Sequence, residues 1–285
     1  MRFHPALGDP EGLNERERGL FESEGMEPLP GPAPDDWLAV HPEPGQTFTD
    51  FLEAEPAYPA PPRNVLYLRP VGALEYEGPD PLDLRRFVEA FFSLEARLLP
   101  PLDIGEARIT ERENPLMEQR QLLAPDVLEA LSYTMPDDAF CVLGLTSIDL
   151  YPEPDWNFVF GQADRAKRTG VYSFYRYDTD VPGLFLRRCL KVMAHEIGHL
   201  FGIAHCPYFR CLMNGANHLE ESDARPLHLC PVDLRKLAFS VGFDVAERYR
   251  RLAGVFDELA VHDEAEWIRE RLEETPGAFP IEWSP

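Results

Sequence analysis

The sequence has 285 residues, of which 44% are hydrophobic and 27% are charged, a balance typical of a soluble globular protein with a buried core. Its formal net charge of −23 would repel nucleic acid and anionic lipid, so neither is expected as a partner. The longest apolar run, residues 139–145, is far shorter than the ~20 residues of a membrane span, and the N-terminus lacks the apolar segment of a secretory signal.

The cysteine content indicates a reducing environment. Five cysteines are an odd number, and without a secretory signal a disulfide framework is not expected. Metal ligation or buried thiols fit better. We therefore expect a cytoplasmic protein, and we expect it to be a monomer without membrane or nucleic-acid partners.

Residues 1–62 are predicted to form a Pro-rich arm. Of the 29 prolines, 12 lie in this segment, which excludes long helices and central strands. The arm also carries Trp37, Phe51 and other apolar side chains that a solvated tail does not need. We expect an extended arm lying on the globular body, with a short helix near residues 48–53.

Residues 63–202 are predicted to form the upper lobe of a mixed α/β fold, built on one central, twisted sheet. Apolar periodicity predicts strands at 65–68, 107–113, 139–145, 157–160 and 171–175, and helices at 83–98 and 124–133.

The lobe ends in a long active-site helix over 184–201, stopped by Gly202. Residues 203–285 are predicted to form a mostly helical lower lobe. It begins with an irregular Cys- and His-rich segment at 206–230, which helices at 232–241, 245–256 and 265–272 follow.

The long helix contains the motif His195-Glu196-Ile197-Gly198-His199. Because the two histidines are four residues apart, one helix face presents both imidazoles, whose nitrogens can reach one zinc ion at ~2.0–2.1 Å. Gly202 permits a sharp turn that returns His205 as a third ligand. Three protein ligands leave a fourth position for water, so the pattern predicts one catalytic zinc.

Glu196 is expected to act as general base and then as general acid. It would take a proton from the zinc-bound water, the hydroxide would attack a peptide carbonyl, and the proton would pass to the leaving nitrogen. The sequence therefore predicts a zinc metallopeptidase with peptide or protein substrates.

Two residues downstream allow two interpretations each. Met213 is either an ordinary core methionine or part of an apolar methionine turn beneath the three histidines. His218 is either a hydrogen-bond donor to the oxyanion or a structural residue of the Cys-rich loop.

The stretch from His195 to His205, with Met213 downstream, resembles the metzincin zinc peptidases. The cysteines at 206, 211 and 230 narrow the resemblance to the archaemetzincins. Further segments similar to the animal-type members are Asp36-Trp37…His41-Pro42 and residues 139–142, 148–151, 155–163 and 217–221. The resemblance implies a metzincin-like zincin fold and a zinc-dependent peptidase.

The resemblance also implies an edge strand of the upper lobe that pairs with bound peptide. We assign this strand to Asn157, Phe158, Val159 and Phe160.

A second, structural zinc held by four cysteines is a further implication of the resemblance. Cys206, Cys211 and Cys230 fit three of the four places, and Asp233 occupies the fourth. Zinc accepts Asp oxygen at ~2.0–2.2 Å, and this assignment keeps the family spacing, whereas His228 is the alternative ligand. Asp233 could instead only favour the dipole of the following helix, which would leave the site weak or empty.

Two other functions stay open. The arm could run through the cleft as a pro-like segment and hold the enzyme in a latent, zymogen-like form. Alternatively, the protein could be a non-catalytic zinc- and peptide-binding module, although such a module has no use for Glu196.

Overall fold

The computed structural model of the protein describes residues 2–73, 78–114 and 117–275. The α-helices are α1 Trp37–Val40, α2 Phe48–Glu53, α3 Pro81–Phe92, α4 Ala124–Tyr133, α5 Leu184–Leu200, α6 Leu219–Asp223, α7 Pro231–Val241, α8 Val245–Glu258 and α9 His262–Glu273. The strands are β1 Val65–Pro70, β2 Ala96–Leu98, β3 Glu111–Glu113, β4 Arg120–Leu123, β5 Ala139–Thr146, β6 Asp149–Tyr151, β7 Gly161–Asp164 and β8 Thr169–Ser173. Short 3-10 helices lie at Pro5–Leu7, Pro10–Gly12, Arg18–Phe21 and Tyr175–Tyr177. The mixed α/β class predicted from the sequence is confirmed.

The chain divides into two compact units. One, here the sheet unit, comprises residues 57–89 and 94–202. The other, here the helical unit, comprises the residues up to 56, residues 90–93 and the residues from 203 onward. The arm therefore groups with the C-terminal part of the chain, whereas the division into domains at 62 and 202 stays a prediction.

Among its described residues, the sheet unit contains two mixed sheets, so the prediction of one central sheet was wrong. The larger has the strand order β2-β1-β5-β8-β7, in which β7 lies at an edge, antiparallel to β8, while the other pairs are parallel. The smaller has the order β3-β4-β6. Only two residues separate the end of β5 from the start of β6, yet β6 pairs with β4, which creates the second sheet.

The core of the sheet unit explains why β5 was recognisable from the sequence. All eight residues of β5 are buried, and both α4 and α5 contact the strand. A parallel strand covered on both faces reads as a continuous apolar run instead of an alternating one. Helix α4 adds Val127 and Leu131 to the same core cluster, which confirms the helix predicted at 124–133.

The helix predicted at 83–98 is shorter than expected. Helix α3 ends at Phe92, and Ser93 then adopts a left-handed backbone with φ of 53°. Leu98, which completed the apparent helical period, lies in β2, where it pairs with Leu68 of β1. Two strand predictions were displaced as well: only Glu111–Glu113 of 107–113 is a strand, and β8 begins and ends two residues before the predicted 171–175.

The segment Asn157, Phe158, Val159 and Phe160 is not a strand. Val159 forms one isolated bridge with Leu150, and the edge strand of the larger sheet is instead β7. The backbone carbonyl of Asn157 accepts hydrogen bonds from the side chains of Arg112 (3.2 Å), Asn114 (3.3 Å) and Gln121 (2.9 Å). These side chains occupy the acceptor that a neighbouring strand would use, which the local sequence pattern cannot reveal.

The helical unit buries the apolar stripes of its helices, including Leu237 of α7, Phe256 of α8 and Ile268 of α9. These helices confirm the three predicted near 232–272. The arm contributes α2, the short helix predicted at 48–53. Thr47 and Asp50 cap the N-terminus of this helix with a reciprocal capping box. The segment predicted to be irregular contains the five-residue helix α6.

Within the described residues, no helix combines the length and apolar character required to cross a lipid bilayer.

Candidate metal centres

Helix α5 brings the first two histidines of the motif together. The Nε2 atoms of His195 and His199 lie 3.0 Å apart, and the two rings are nearly perpendicular at 85°. Such a separation suits two nitrogens that each bond one ion at ~2.0–2.1 Å. The spacing of four residues produces this arrangement because it places both side chains on the same helix face.

His205 follows a turn at Gly202, whose φ of 88° is a conformation that glycine adopts without strain. In the short stretch from His195 to His205, each of the three histidines offers one ring nitrogen, and these atoms all lie within 4.8 Å of one another. Three imidazoles at this separation are a donor set that zinc accepts, and they leave a coordination position open.

The carboxylate of Glu196 lies against the edge strand. Its side chain is mostly buried, with the residue 6% exposed. A methyl group at Gly161, the first residue of β7, would lie 2.5 Å from Oε1 and 2.8 Å from Cδ of Glu196. Glu196 therefore occupies space beside β7 that is available only because residue 161 has no side chain.

His205 is held by residues of the arm. Its Nδ1 atom lies 3.0 Å from both carboxylate oxygens of Glu43, and the edge of its ring meets Trp37 at a centroid distance of 5.0 Å. The Trp37 indole N–H also donates to Glu43 Oε1, at 3.1 Å. The sequence offered no signal for Glu43, because 162 residues separate it from His205.

A second cluster gathers Cys206, Cys211, Cys230 and Asp233, all buried and with their ligand atoms within 4.8 Å of one another. Asp233 Oδ2 lies 3.3 Å from Cys211 Sγ and 3.5 Å from Cys230 Sγ. The other oxygen, Oδ1, accepts a hydrogen bond of 2.8 Å from the ammonium group of Lys236, which is also buried. The carboxylate thus directs one oxygen to the thiols and the other to a cation.

Burial controls the protonation of this cluster. It raises the pKa of Asp233 to about 6 and raises the pKa values of the Cys211 and Cys230 thiols well above their usual range. Burial also acts to raise the pKa of Cys206, but hydrogen bonds from the other two thiols and from the backbone at Tyr208 and Phe209 together outweigh it and hold that pKa well below its usual range. Burial opposes the charge of Lys236, yet its Coulombic attraction to Asp233 raises the Lys236 pKa.

Three sulfurs and one carboxylate oxygen are a donor set that suits a tetrahedral structural zinc. His228, the alternative fourth ligand, is not in this group. Its Nδ1 lies 2.8 Å from a carboxylate oxygen of Glu264, and its ring stacks on Trp267 at 3.6 Å. The structure brings Asp233 and not His228 to the three cysteines.

The remaining predicted residues are placed as follows. Met213 is fully buried, and its carbonyl accepts a 2.9 Å hydrogen bond from the Cys206 N–H. His218 caps α6 by accepting from the Glu221 N–H at 3.2 Å, and its Nε2 lies 3.2 Å from Asp36. These contacts match the structural interpretation of His218 and offer no support for an oxyanion role.

The chain resembles known peptidases over most of its length. A model of peptidase family M54 matches residues 103–238. Archaemetzincin-2 of Macaca fascicularis is 35% identical over 289 residues, covering 87% of this chain and 76% of that protein. Archaemetzincin-2 of Homo sapiens is 35% identical over 318 residues, covering 95% of this chain and 84% of that protein. The archaemetzincin of Methanopyrus kandleri, known from a crystal structure, has 29% sequence identity to this chain. Its structure aligns with a TM-score of 0.49 over 62% of this chain and 96% of that chain.

The match to a peptidase family and the three clustered histidines together define this protein as a zinc-dependent metallopeptidase. The two Archaemetzincin-2 proteins are each 35% identical to this chain, over more than two thirds of its length and of their own, and this similarity identifies the family within that class. The chain belongs to the archaemetzincin family.

Proposed function

We propose that the peptidase acts through a metzincin-type site in which His195, His199 and His205 hold the catalytic zinc and Glu196 moves the proton. The observation that carries this proposal is the convergence of three imidazole nitrogens within 4.8 Å, with a glutamate next to the first histidine. When bound, zinc supplies a Lewis acid that polarises a carbonyl oxygen and makes water nucleophilic near neutral pH.

Glu196 performs the proton transfers. Its carboxylate takes one proton from the attacking water, the water oxygen bonds to the peptide carbon, and the same proton passes to the amide nitrogen as the carbon–nitrogen bond breaks. Because Glu196 is mostly buried, its carboxylate acts in a poorly hydrated environment, where its interactions with charge are stronger than in water.

The substrate backbone is proposed to lie along β7. This strand is at the edge of the larger sheet, and its first residue, Gly161, is packed against Glu196. A peptide that adds to this edge by backbone hydrogen bonds would be held beside the carboxylate. The role first assigned to Asn157–Phe160 thereby moves to the strand that follows it.

A second, structural zinc is proposed on Cys206, Cys211, Cys230 and Asp233. The support is the buried set of four ligand atoms, which would otherwise leave acidic groups packed together away from water. Lys236 balances part of their negative charge. The five free cysteines are compatible with a reducing compartment, so we place the enzyme in the cytoplasm.

We propose that one chain suffices for activity, because every ligand of both groups comes from the same chain. Met213 is proposed as the buried methionine of the metzincin pattern. Its carbonyl accepts from Cys206, the residue that follows the third histidine, so the methionine segment is tied directly to that ligand.

The test combines turnover and metal content. Glu196→Gln should reduce cleavage of a peptide library by at least about 100-fold, since general-base catalysis contributes ~10²–10⁴ in rate, and should retain two zinc ions per chain. His199→Ala should retain one. Glu53→Gln, an exposed glutamate of α2, is the matched control and should behave like the wild type. Full activity in Glu196→Gln, or unchanged zinc content in His199→Ala, would refute the assignment.

A further inference from the structure

We propose that Glu43 of the N-terminal arm is a positioning residue for the third zinc ligand, so that the arm is part of the metal centre and not a removable pro-segment. This inference rests on the proposed role of His205. It gives the arm a supporting function in place of the inhibitory one that the sequence left open.

The hydrogen-bond geometry carries the inference. Both carboxylate oxygens of Glu43 lie 3.0 Å from His205 Nδ1. A carboxylate can only accept, so the ring nitrogen facing it is the N–H, and the nitrogen that can serve as a metal ligand is Nε2. Glu43 thereby fixes both the tautomer and the orientation of the ring, which are the functions that outer-shell carboxylates serve at zinc sites.

Glu43 is itself held in place. Its Oε1 accepts a hydrogen bond from the indole N–H of Trp37 at 3.1 Å. The backbone N–H of Trp37 donates to both carboxylate oxygens of Glu221, at 2.9 and 3.1 Å. Gly215 gives the indole room, because a side chain there would overlap the Trp37 ring. Trp37 therefore anchors the arm six residues before Glu43.

The arm is anchored again just after Glu43. Gly45 has a φ of 80° and packs so closely on Pro207 and Tyr208 that a side chain could not be accommodated. Gln46 Oε1 then accepts a 3.1 Å hydrogen bond from the N–H of Ala204, the residue before His205. Contacts on both sides of Glu43 thus fix its carboxylate against the histidine.

The geometry argues against an inhibitory carboxylate. A latent enzyme would need the arm to place an oxygen on the metal beside the three ring nitrogens. Glu43 instead contacts His205 at Nδ1, the ring nitrogen that faces away from a metal bound by Nε2. We therefore expect loss of Glu43 to weaken zinc binding, whereas an inhibitory arm predicts higher activity after its loss.

The test measures the rate at which zinc passes from the full-length protein to a chromogenic chelator. The wild-type protein should release its two zinc ions in two phases. The phase that is missing in His199→Ala belongs to the zinc ion at the three histidines. Removing an outer-shell partner usually costs about 10- to 100-fold in metal affinity, and we expect this loss in the dissociation rate, so this phase should be about 10- to 100-fold faster in Glu43→Ala than in the wild type. Glu43→Gln retains an acceptor oxygen and should fall between the two. Glu53→Gln should match the wild type.

Circular dichroism of the zinc-loaded proteins at the assay temperature separates positioning from misfolding, because weaker zinc binding by itself lowers the melting temperature. Glu43→Gln should release zinc faster while keeping the wild-type spectrum, and it decides the question if Glu43→Ala does not fold. Equal release rates in Glu43→Gln and Glu53→Gln would overturn the proposal for Glu43. If His199→Ala instead binds two zinc ions, the proposed catalytic site fails and the role of Glu43 fails with it, whereas one zinc in His199→Ala together with unchanged zinc release in Glu43→Gln refutes the role of Glu43 alone.

Discussion

The contact between Gly161 and Glu196 places one residue without a side chain directly beside the proposed general base. Nothing in the geometry requires a positive φ at Gly161; the constraint is space, because a methyl group would overlap the carboxylate group of Glu196. A general base must lie within hydrogen-bond reach of its proton, and a displacement of about 1 Å can cost ~100-fold in rate. The glycine therefore sets where Glu196 can sit.

We predict that Gly161→Ala lowers kcat by at least about 10-fold, because the added methyl group pushes the carboxylate away from its position. Zinc content should stay at the wild-type value, since the three atoms nearest to the added methyl group all belong to Glu196, which is not a proposed ligand. Steady-state kinetics on a single peptide substrate, together with metal analysis, would check this.

Gly254→Ala is the matched control, because the space around Gly254 within α8 is open. This control should keep wild-type activity, and it should gain about 0.5–1 kcal/mol in the free energy of unfolding from the alanine's helix preference. Wild-type kcat in Gly161→Ala would show that Glu196 does not depend on this glycine.

Among individual residues, the sequence revealed those whose partners are close to them along the chain. His195, Glu196 and His199 lie within five positions of one helix, so their spacing alone predicts their arrangement. Glu43 and Lys236 could not be identified in this way. Glu43 reaches His205 only through the folded path of the arm, and Lys236 is an ordinary helix residue until its buried contact with Asp233 is seen.

Helix α7 is the element on which the proposed second zinc site depends. Cys230 is its N-cap, Asp233 lies in its first turn, and Lys236 follows three residues later on the same face. A carboxylate near a helix N-terminus is favoured by the dipole, so Asp233 can be held there with or without metal. Metal binding must therefore be tested directly.

We predict that Asp233→Ala lowers the affinity of the second site for zinc by at least about 10-fold, because it removes one of the four proposed ligands. Asp233→Cys should retain the second zinc through a fourth thiolate. Cobalt(II) substitution would report the ligands, since each added thiolate increases the sulfur-to-metal charge-transfer absorption.

His228→Ala tests the alternative ligand. It should keep two zinc ions per chain, because His228 contacts Glu264 and Trp267 and not the cysteines. Loss of the second zinc in His228→Ala, with retention in Asp233→Ala, would reverse the assignment.

Elements with self-contained patterns were predictable, and elements defined by distant partners were not. The helix at 124–133 has the predicted bounds because its apolar face and its start at Ala124-Pro125 are local features. The segment 157–160 was misassigned because Arg112, Asn114 and Gln121, which bind its backbone, lie more than 35 residues earlier. Helix α3 was extended too far because the residues of β2 continue its apolar period by coincidence.

The whole molecule is strongly acidic, with 50 Asp and Glu residues against 27 Lys and Arg. A net charge of −23 produces a negative potential that extends about one Debye length, ~8 Å at physiological ionic strength. Such a field attracts cationic substrates and repels anionic ones before any specific contact forms. Charge therefore affects the encounter rate and not the chemical step.

We predict that, at low ionic strength, kcat/KM is higher for a peptide with lysines flanking the cleaved sequence than for its glutamate counterpart. Electrostatic steering raises encounter rates by ~10- to 10³-fold, so a ratio within this range is expected where substrate capture limits the reaction. Because salt screens charges that are separated by solvent, the ratio should fall toward one as the salt concentration rises from 20 to 500 mM, which shortens the Debye length roughly fivefold. The kcat values of the two peptides should differ little, since both present the same bond to Glu196. A preference for the lysine peptide that persists unchanged in high salt would instead indicate a direct acidic subsite beside β7, and a preference for the glutamate peptide would contradict steering by the net charge.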